Sequence, residues 1–97
     1  MTTLHIIRQS AYTTTDFEQC IQSLCMNDII VFIDDGCYNL QHNLISTIDN
    51  SKKIQLNVMK KHALARGIII DESIINPIEM TALVALTFSN DRVITWQ

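Results

Sequence analysis

The segment that most constrains the fold is an apolar stretch, residues 80–88, near the end of the 97-residue chain. Pro77 and Glu79 come just before it, and a strand that stops at a proline followed by an acidic first turn favours a new helix. Within the segment only Thr81 and Thr87 carry polar side chains. A helix that is apolar on every side is buried on every side. A chain of this length cannot easily surround one helix, so we expect a partner protein to cover part of it.

The composition is in keeping with a protein whose surface is partly an interface. Charged residues make up 18% of the chain, below the usual quarter or so, and hydrophobic residues make up 47%. A small domain with a sparsely charged surface is the plainer explanation, and composition alone does not separate the two. The net charge is −3 and the basic residues are scattered, whereas a nucleic-acid-binding surface needs a basic face. We therefore expect no direct nucleic-acid binding by this chain.

The cysteine content and the hydropathy of the sequence indicate the cellular compartment of the protein. No apolar run approaches the length of a membrane span, and the N-terminus lacks a basic segment followed by a hydrophobic one. The three cysteines, Cys20, Cys25 and Cys37, cannot all pair within the chain, which favours a reducing compartment. Their spacing does not match a metal site, and no cofactor fingerprint is present. The sequence predicts a cytoplasmic protein without metal, cofactor or membrane contact.

Strand and helix patterns alternate along the whole chain. Residues 29–33 form a continuous apolar run, as expected for a central parallel strand covered on both faces. Further strands are predicted at 4–7, 54–58, 74–78 and 92–96, with helices at about 15–25, 34–48, 60–66 and 79–89. This order predicts one α/β domain over residues 1–97, with three-layer α/β/α architecture and a five-stranded, mainly parallel sheet.

The first predicted helix contains one of the two candidate thiol sites. Thr15 and Glu18 form a capping-box pattern, which satisfies free N–H groups at a helix start. The helix then places Cys20 and Cys25 on one apolar stripe. Cysteine is among the most buried residue types, so from the residues alone Cys20 is a core residue.

Cys37 is the second candidate. It follows the central strand, at the carboxyl end of the sheet where ligands gather in parallel α/β folds. A position in the first turn of a helix can lower the pKa of a thiol, whereas the neighbouring Asp34 and Asp35 oppose its ionisation. A small buried residue that packs under Tyr38 is the alternative.

The chain resembles the TusB/DsrH family, a small subunit of sulfur-relay complexes. The residues that carry the resemblance are Leu4-His5, Ser10, Tyr12, Asp35-Gly36, Ala65-Arg66-Gly67, Pro77-Ile78-Glu79, Thr81, Leu83-Val84, Leu86-Thr87 and Trp96. The resemblance implies the DsrEFH-like fold and a heterohexamer with homologous TusC/TusD-like or DsrF/DsrE-like subunits. Such a complex passes persulfide sulfur between cysteines, for 2-thiolation of the tRNA wobble uridine in one branch and for intracellular sulfur oxidation in the other.

The resemblance also gives the cysteines a second interpretation. The principal sulfur-carrying cysteine of the family belongs to the D or E subunit, but Cys20 matches the position of a cysteine in the H protein of sulfur oxidisers. Cys20 is thus a candidate persulfide carrier, and Cys37 is the weaker candidate. Three functions remain open: an accessory subunit of a sulfurtransferase complex, a self-sufficient thiol enzyme, and a dimerisation module that forms a homodimer when alone.

Overall fold

Five parallel strands form the centre of the fold in a computed structural model, which describes residues 2–97. The strands are β1 (Thr3–Ile7), β2 (Ile29–Phe32), β3 (Gln55–Met59), β4 (Asn76–Ile78) and β5 (Arg92–Trp96). Their order across the sheet is β4-β3-β2-β1-β5, and every pairing is parallel. The predicted α/β class, the parallel sheet and the central position of β2 are confirmed.

Helices cover the two faces of the sheet unequally. On one face, α1 (Asp16–Ser23), α2 (Lys60–Ala65) and a 3₁₀ segment pack against the sheet around Phe32 and Val58. On the other face, α3 (Met80–Ser89) lies alone and buries Leu83 against Leu4 and Val31. The three-layer architecture is therefore present, but one layer is a single helix over five strands. Three isoleucines of that face, Ile6, Ile29 and Ile33, are only partly buried.

The predicted helix over residues 34–48 is wrong. The side chain of Asn39 is fully buried, where its Oδ1 accepts the Ala11 N–H at 2.7 Å and its Nδ2 donates to the Gln9 carbonyl at 3.0 Å. These bonds tie the segment to the loop after β1 and fix its position there, and asparagine is in addition a weak helix former. The chain forms short 3₁₀ helices instead, at Asp34–Gln41, Asn43–Thr47 and Asn50–Lys52.

The helix α1 starts after Thr15 as predicted, but its capping and its C-terminal end differ from the prediction. Thr15 makes no side-chain capping bond, and its hydroxyl instead accepts from the Gln19 side chain at 3.2 Å. The helix ends at Ser23 because the Asp28 carboxylate accepts the Cys25 N–H at 3.0 Å, outside any helical pattern. Cys25 consequently lies beyond the helix and is exposed, not on the buried stripe.

The helix α2 ends as the sequence predicts. Its last helical residue is Ala65, and Gly67 follows with a φ of +68°, in the left-handed region that glycine adopts at little cost. None of the helices in the described part of the chain is long and apolar enough to cross a membrane.

Candidate functional site

Cys20 lies in the hydrophobic core between α1 and the sheet. Its side chain has no exposed surface and belongs to the same cluster as Ile7 and Phe17. Burial, and to a smaller extent the negative charge of Asp28, raise the pKa of its thiol to about 12. The thiol is therefore almost wholly protonated near neutral pH, and its role as a persulfide carrier stays a prediction.

Cys37 is also fully buried, although it lies at the carboxyl end of β2 as expected. Its Sγ lies 3.8 Å from the Phe32 carbonyl oxygen, to which the thiol donates a weak hydrogen bond. The pKa of the Cys37 thiol is raised to about 11, mainly by burial; Arg66 lowers this pKa to a smaller extent, and Asp34 and Asp35 raise it. The pKa-raising effect of burial on the Cys37 thiol thus outweighs any pKa-lowering effect of the short 3₁₀ helix that begins at Asp34.

Cys25 differs from the other two cysteines because it is exposed. In the folded protein we expect a maleimide to modify Cys25 first, since reaction needs an accessible thiolate. Time-resolved intact-mass measurement would count the labels, and Cys25→Ser should remove the fast reaction. Cys20 and Cys37 should react only after denaturant is added. Rapid labelling of the folded Cys25→Ser protein would contradict the burial of those two thiols.

A cluster of charged side chains lies at the carboxyl edge of the sheet. Arg8 follows β1, and its Nε lies 3.5 Å from Asp34 Oδ2 after β2. Arg66 places its Nε 3.2 Å from Asp35 Oδ1 and donates from Nη1 to the His62 carbonyl. These pairs are partly exposed, so each is expected to stabilise the fold by no more than about 1 kcal/mol.

His62 fixes the backbone of Asp34 within this cluster. The Asp34 N–H donates to His62 Nδ1 at 3.0 Å, so that nitrogen carries no proton. The same Nδ1 lies 3.6 Å from Asp34 Oδ1, but an accepting nitrogen cannot also donate to the carboxylate. We therefore regard the contact as a backbone hydrogen bond and not as an ion pair. It helps to hold Asp34 at a φ of +49°, a conformation that is uncommon for residues other than glycine.

A buried polar chain connects β5, β1 and the start of β2. Trp96 Nε1 lies 3.1 Å from His5 Nδ1, and His5 Nε2 lies 3.0 Å from Asp28 Oδ2. The indole N–H can only donate, so His5 accepts at Nδ1 and donates its Nε2–H to the carboxylate. Asp28 also accepts the Thr3 N–H and the Cys25 N–H, both at 3.0 Å. Asp28 and His5 are buried and Trp96 is partly buried, and we call these three residues the buried triad.

The hydrogen bonds that Asp28 accepts determine its charge state. Burial by itself would raise the pKa of the Asp28 carboxyl, but the bonds from Cys25, His5 and Thr3 outweigh it and hold this pKa below its usual value. Sequence analysis missed Asp28. The available signal was an acidic residue placed directly before a wholly apolar strand, where an unpaired carboxylate would be costly.

The outer surface of α3 is apolar and uncovered. Met80, Val84 and Phe88 are 55%, 46% and 86% exposed, and they recur at every fourth position. We call these three residues the α3 stripe. The helix packs on the sheet through its opposite side, where Leu83 is buried and Leu86 contacts the same cluster.

Three hollows of the surface have neither Cys20 nor Cys37 in their linings. One of about 480 Å³ lies beside the end of α2, where Leu64, Ile68 and Pro77 contribute to its lining. Another, of about 260 Å³, lies between α3 and the N-terminal ends of β3 and β4. Within residues 2–97, no three His, Cys, Asp or Glu side chains are grouped so as to hold a metal ion.

These features define a small, parallel, three-layer α/β domain with fully buried thiols at two positions and one uncovered apolar helix. The sequence matches the family model described as DsrH like protein over residues 9–93, and the chain belongs to this family. Membership indicates a sulfur-relay subunit that acts with other subunits in a complex.

Among solved structures, the chain is similar to the YchN protein of Escherichia coli, with a TM-score of 0.72 and 17% sequence identity. The match covers 99% of this chain and 100% of that one, and at this identity it shows the fold alone. No curated protein matches the sequence.

Proposed function

We propose that this chain is an accessory subunit of a cytoplasmic sulfur-relay complex that supplies sulfur for 2-thiolation of the tRNA wobble uridine. The observation that carries the proposal is the DsrH-like family match, which spans residues 9–93. Three free thiols are in keeping with a reducing compartment. The other subunits in this proposal are homologues of the TusC and TusD type, assembled with this chain as a heterohexamer.

In this proposal the sulfur is carried by a cysteine of a homologous subunit. Persulfide relay requires a thiolate that attacks the outer sulfur of a donor persulfide, after which the donor leaves as a thiolate. Cys20 and Cys37 have no exposed surface, and burial raises the pKa of both thiols, to about 12 and about 11. Either residue could take part only if the elements that cover it moved away. Their burial supports a structural role.

The experiment is sulfur transfer in the reconstituted complex. The chain would be co-expressed with its two homologous subunits, supplied with a persulfide donor and tRNA, and assayed for 2-thiouridine by mass spectrometry. We expect Cys20→Ser to leave thiolation undiminished while it lowers stability, because serine places a hydroxyl in an apolar site. The relay cysteine of the partner subunit, replaced by serine, should abolish thiolation.

Matched variants sharpen this comparison. Cys25→Ser changes an exposed thiol and should alter neither transfer nor stability. Loss of thiolation in Cys20→Ser, with the complex still assembled, would contradict the accessory role. Omission of this chain should reduce transfer by the other subunits, and unchanged transfer without it would also contradict the proposal.

A DsrH-like role in intracellular sulfur oxidation is the second candidate. The observation that favours it is the cysteine at position 20, which matches the cysteine of the H protein in the family resemblance. Trapping of a persulfide on Cys20 in the assembled complex would select this alternative. If the chain bound neither homologue, a plain dimerisation module would be the better description.

A further inference from the structure

We propose that His62 is a pH-dependent switch on the turn at Asp34, and that its protonation at Nδ1 loosens the segment that covers Cys37. The neutral ring accepts the Asp34 N–H and holds the turn in place. The protonated ring donates to the Asp34 carboxylate instead. The inference concerns access to a buried thiol, and it does not depend on which subunit carries the sulfur.

The switch rests on one nitrogen of His62 that lies close to two groups of Asp34. The Asp34 backbone nitrogen lies 3.0 Å from His62 Nδ1, and the carboxylate oxygen Oδ1 lies 3.6 Å from the same atom. An unprotonated Nδ1 can only accept a hydrogen bond, and a protonated Nδ1 can only donate one. A single proton therefore exchanges the backbone contact for the carboxylate contact, without a large movement of the ring.

The backbone contact stabilises an unfavourable conformation of Asp34. Its φ is +49°, in the left-handed region that is sterically disfavoured for residues other than glycine. Asp34 is also the first residue of the 3₁₀ segment Asp34–Gln41, so its N–H has no acceptor within that helix and is bonded to His62. Loss of this acceptor removes a contact that holds the turn in its left-handed conformation.

The charged surroundings of His62 give the protonated ring a partner. Its ionisable neighbours are Arg8 after β1, then Asp34, Asp35 and Cys37 of the 3₁₀ segment, and Lys60, Lys61 and Arg66 of α2 itself. The strand β3, which also contacts α2, has no ionisable side chain. Of these groups, the Asp34 carboxylate is within ion-pair distance of the ring.

The turn at Asp34 leads directly to Cys37. Cys37 is the fourth residue of the same 3₁₀ segment and has no exposed surface. Its Sγ lies 3.8 Å from the Phe32 carbonyl oxygen, immediately below the turn. Relaxation of Asp34 to a negative φ changes the direction of the chain at the start of the segment, so the cover over Cys37 opens more often.

His42 provides a control within the same chain. Its Nδ1 also accepts a backbone N–H, from Leu44 at 3.0 Å. This contact caps a different 3₁₀ helix, Asn43–Thr47. Protonation of His42 therefore removes a bond of the same kind at a place that does not hold Asp34.

NMR spectroscopy tests the two states of His62. Nitrogen-15 spectra near pH 7.5 should show a proton on Nε2 and none on Nδ1. When the pH is lowered to about 5.5, through the range in which histidine changes its charge, the protection of the Asp34 amide against hydrogen exchange should fall about five- to tenfold. This factor is the equivalent of one net hydrogen bond. Protection of the Val31 amide, in the central strand, is the reference for opening of the whole domain.

His62→Asn separates the switch from a merely structural role. The asparagine side-chain oxygen can accept the Asp34 N–H in place of Nδ1, and it does not titrate in this range. Protection of the Asp34 amide relative to Val31 should then be the same at both pH values. His42→Asn is the matched control and should leave the wild-type response of Asp34 intact.

Thiol labelling tests the consequence for Cys37. A dipyridyl disulfide would be used at both pH values, with peptide mapping to separate the three cysteines. The ratio of the Cys37 labelling rates in wild type and in His62→Asn cancels the intrinsic effect of pH on the thiol. We expect this ratio to be near one at about pH 7.5 and about fivefold or more at about pH 5.5.

Three results would overturn the proposal. The first is a proton on His62 Nδ1 at neutral pH. The second is an Asp34 amide in His62→Asn that loses protection relative to Val31 as much as in the wild type. The third is a Cys37 labelling ratio that stays near one at both pH values.

Discussion

Gly36→Ala is expected to destabilise the folded chain severely. A Cβ atom at position 36 would overlap the carbonyl oxygen of Ile7 and would lie 2.8 Å from the carbonyl carbon of the same residue. The clash is with backbone, which cannot move aside because the Gly36 N–H is itself bonded to Arg8 O at 3.0 Å and to Ile33 O at 2.8 Å. We expect the free energy of unfolding to fall by at least about 3 kcal/mol, measured by urea titration with Trp96 fluorescence.

Gly67→Ala is the matched control. Gly67 adopts a φ of +68°, but no other heavy atom lies within 4 Å of the position a Cβ would take. The change should lower the free energy of unfolding by only about 1 kcal/mol, because alanine is less stable than glycine in the left-handed backbone conformation. Equal losses in the two variants would show that the close approach of Gly36 to β1 is not what requires glycine there. Gly36 is part of the Asp35-Gly36 motif, so this result would also test why that motif is present.

Asp28→Asn is expected to give the second large effect. The substitution keeps the size of the side chain but removes the carboxylate that accepts from Thr3 N–H, Cys25 N–H and His5. At least one buried donor then faces an amide NH₂ group and loses its acceptor. We expect a loss of about 3 kcal/mol or more in the free energy of unfolding at pH 7, because breaking a buried, hydrogen-bonded pair leaves its partners unsatisfied.

The pH dependence gives an independent check on Asp28. Its pKa in the folded protein is lower than in the unfolded chain, where an aspartate titrates at about 3.9. The carboxylate therefore contributes stability above that pH, and the contribution is lost as pH falls through the folded-state pKa. The stability difference between wild type and Asp28→Asn should shrink below about pH 4.

Asp71→Asn is the control for this pH experiment. The Asp71 carboxylate also has a lowered pKa, because the side chain and backbone of Ser73 donate to it, but it is fully exposed. We expect little change in stability at either pH. A wild type and an Asp28→Asn variant that unfold in parallel from pH 7 to pH 3 would contradict the role of the buried triad.

The sequence alone determined the layers of this protein, the places of its five strands along the chain and those of three of the four predicted helices. Apolar runs such as 29–33 and the alternation of strand and helix are local patterns, and parallel crossovers then leave few arrangements. The same local reasoning identified α3 as a helix without a polar face. These predictions succeeded because each depends on residues that are close together in the chain.

Only the tertiary structure decided the features that depend on distant residues. Asn39 replaces a predicted helix with 3₁₀ turns through bonds to Gln9 and Ala11, about thirty positions away. Asp28 ends α1 early and exposes Cys25, and His5 links Asp28 to Trp96 across the sheet. The raised pKa values of Cys20 and Cys37 likewise come from burial, which is set by how the layers meet. A buried polar group bonds to whichever partner the fold brings within hydrogen-bond distance, and the local sequence does not determine which partner that is.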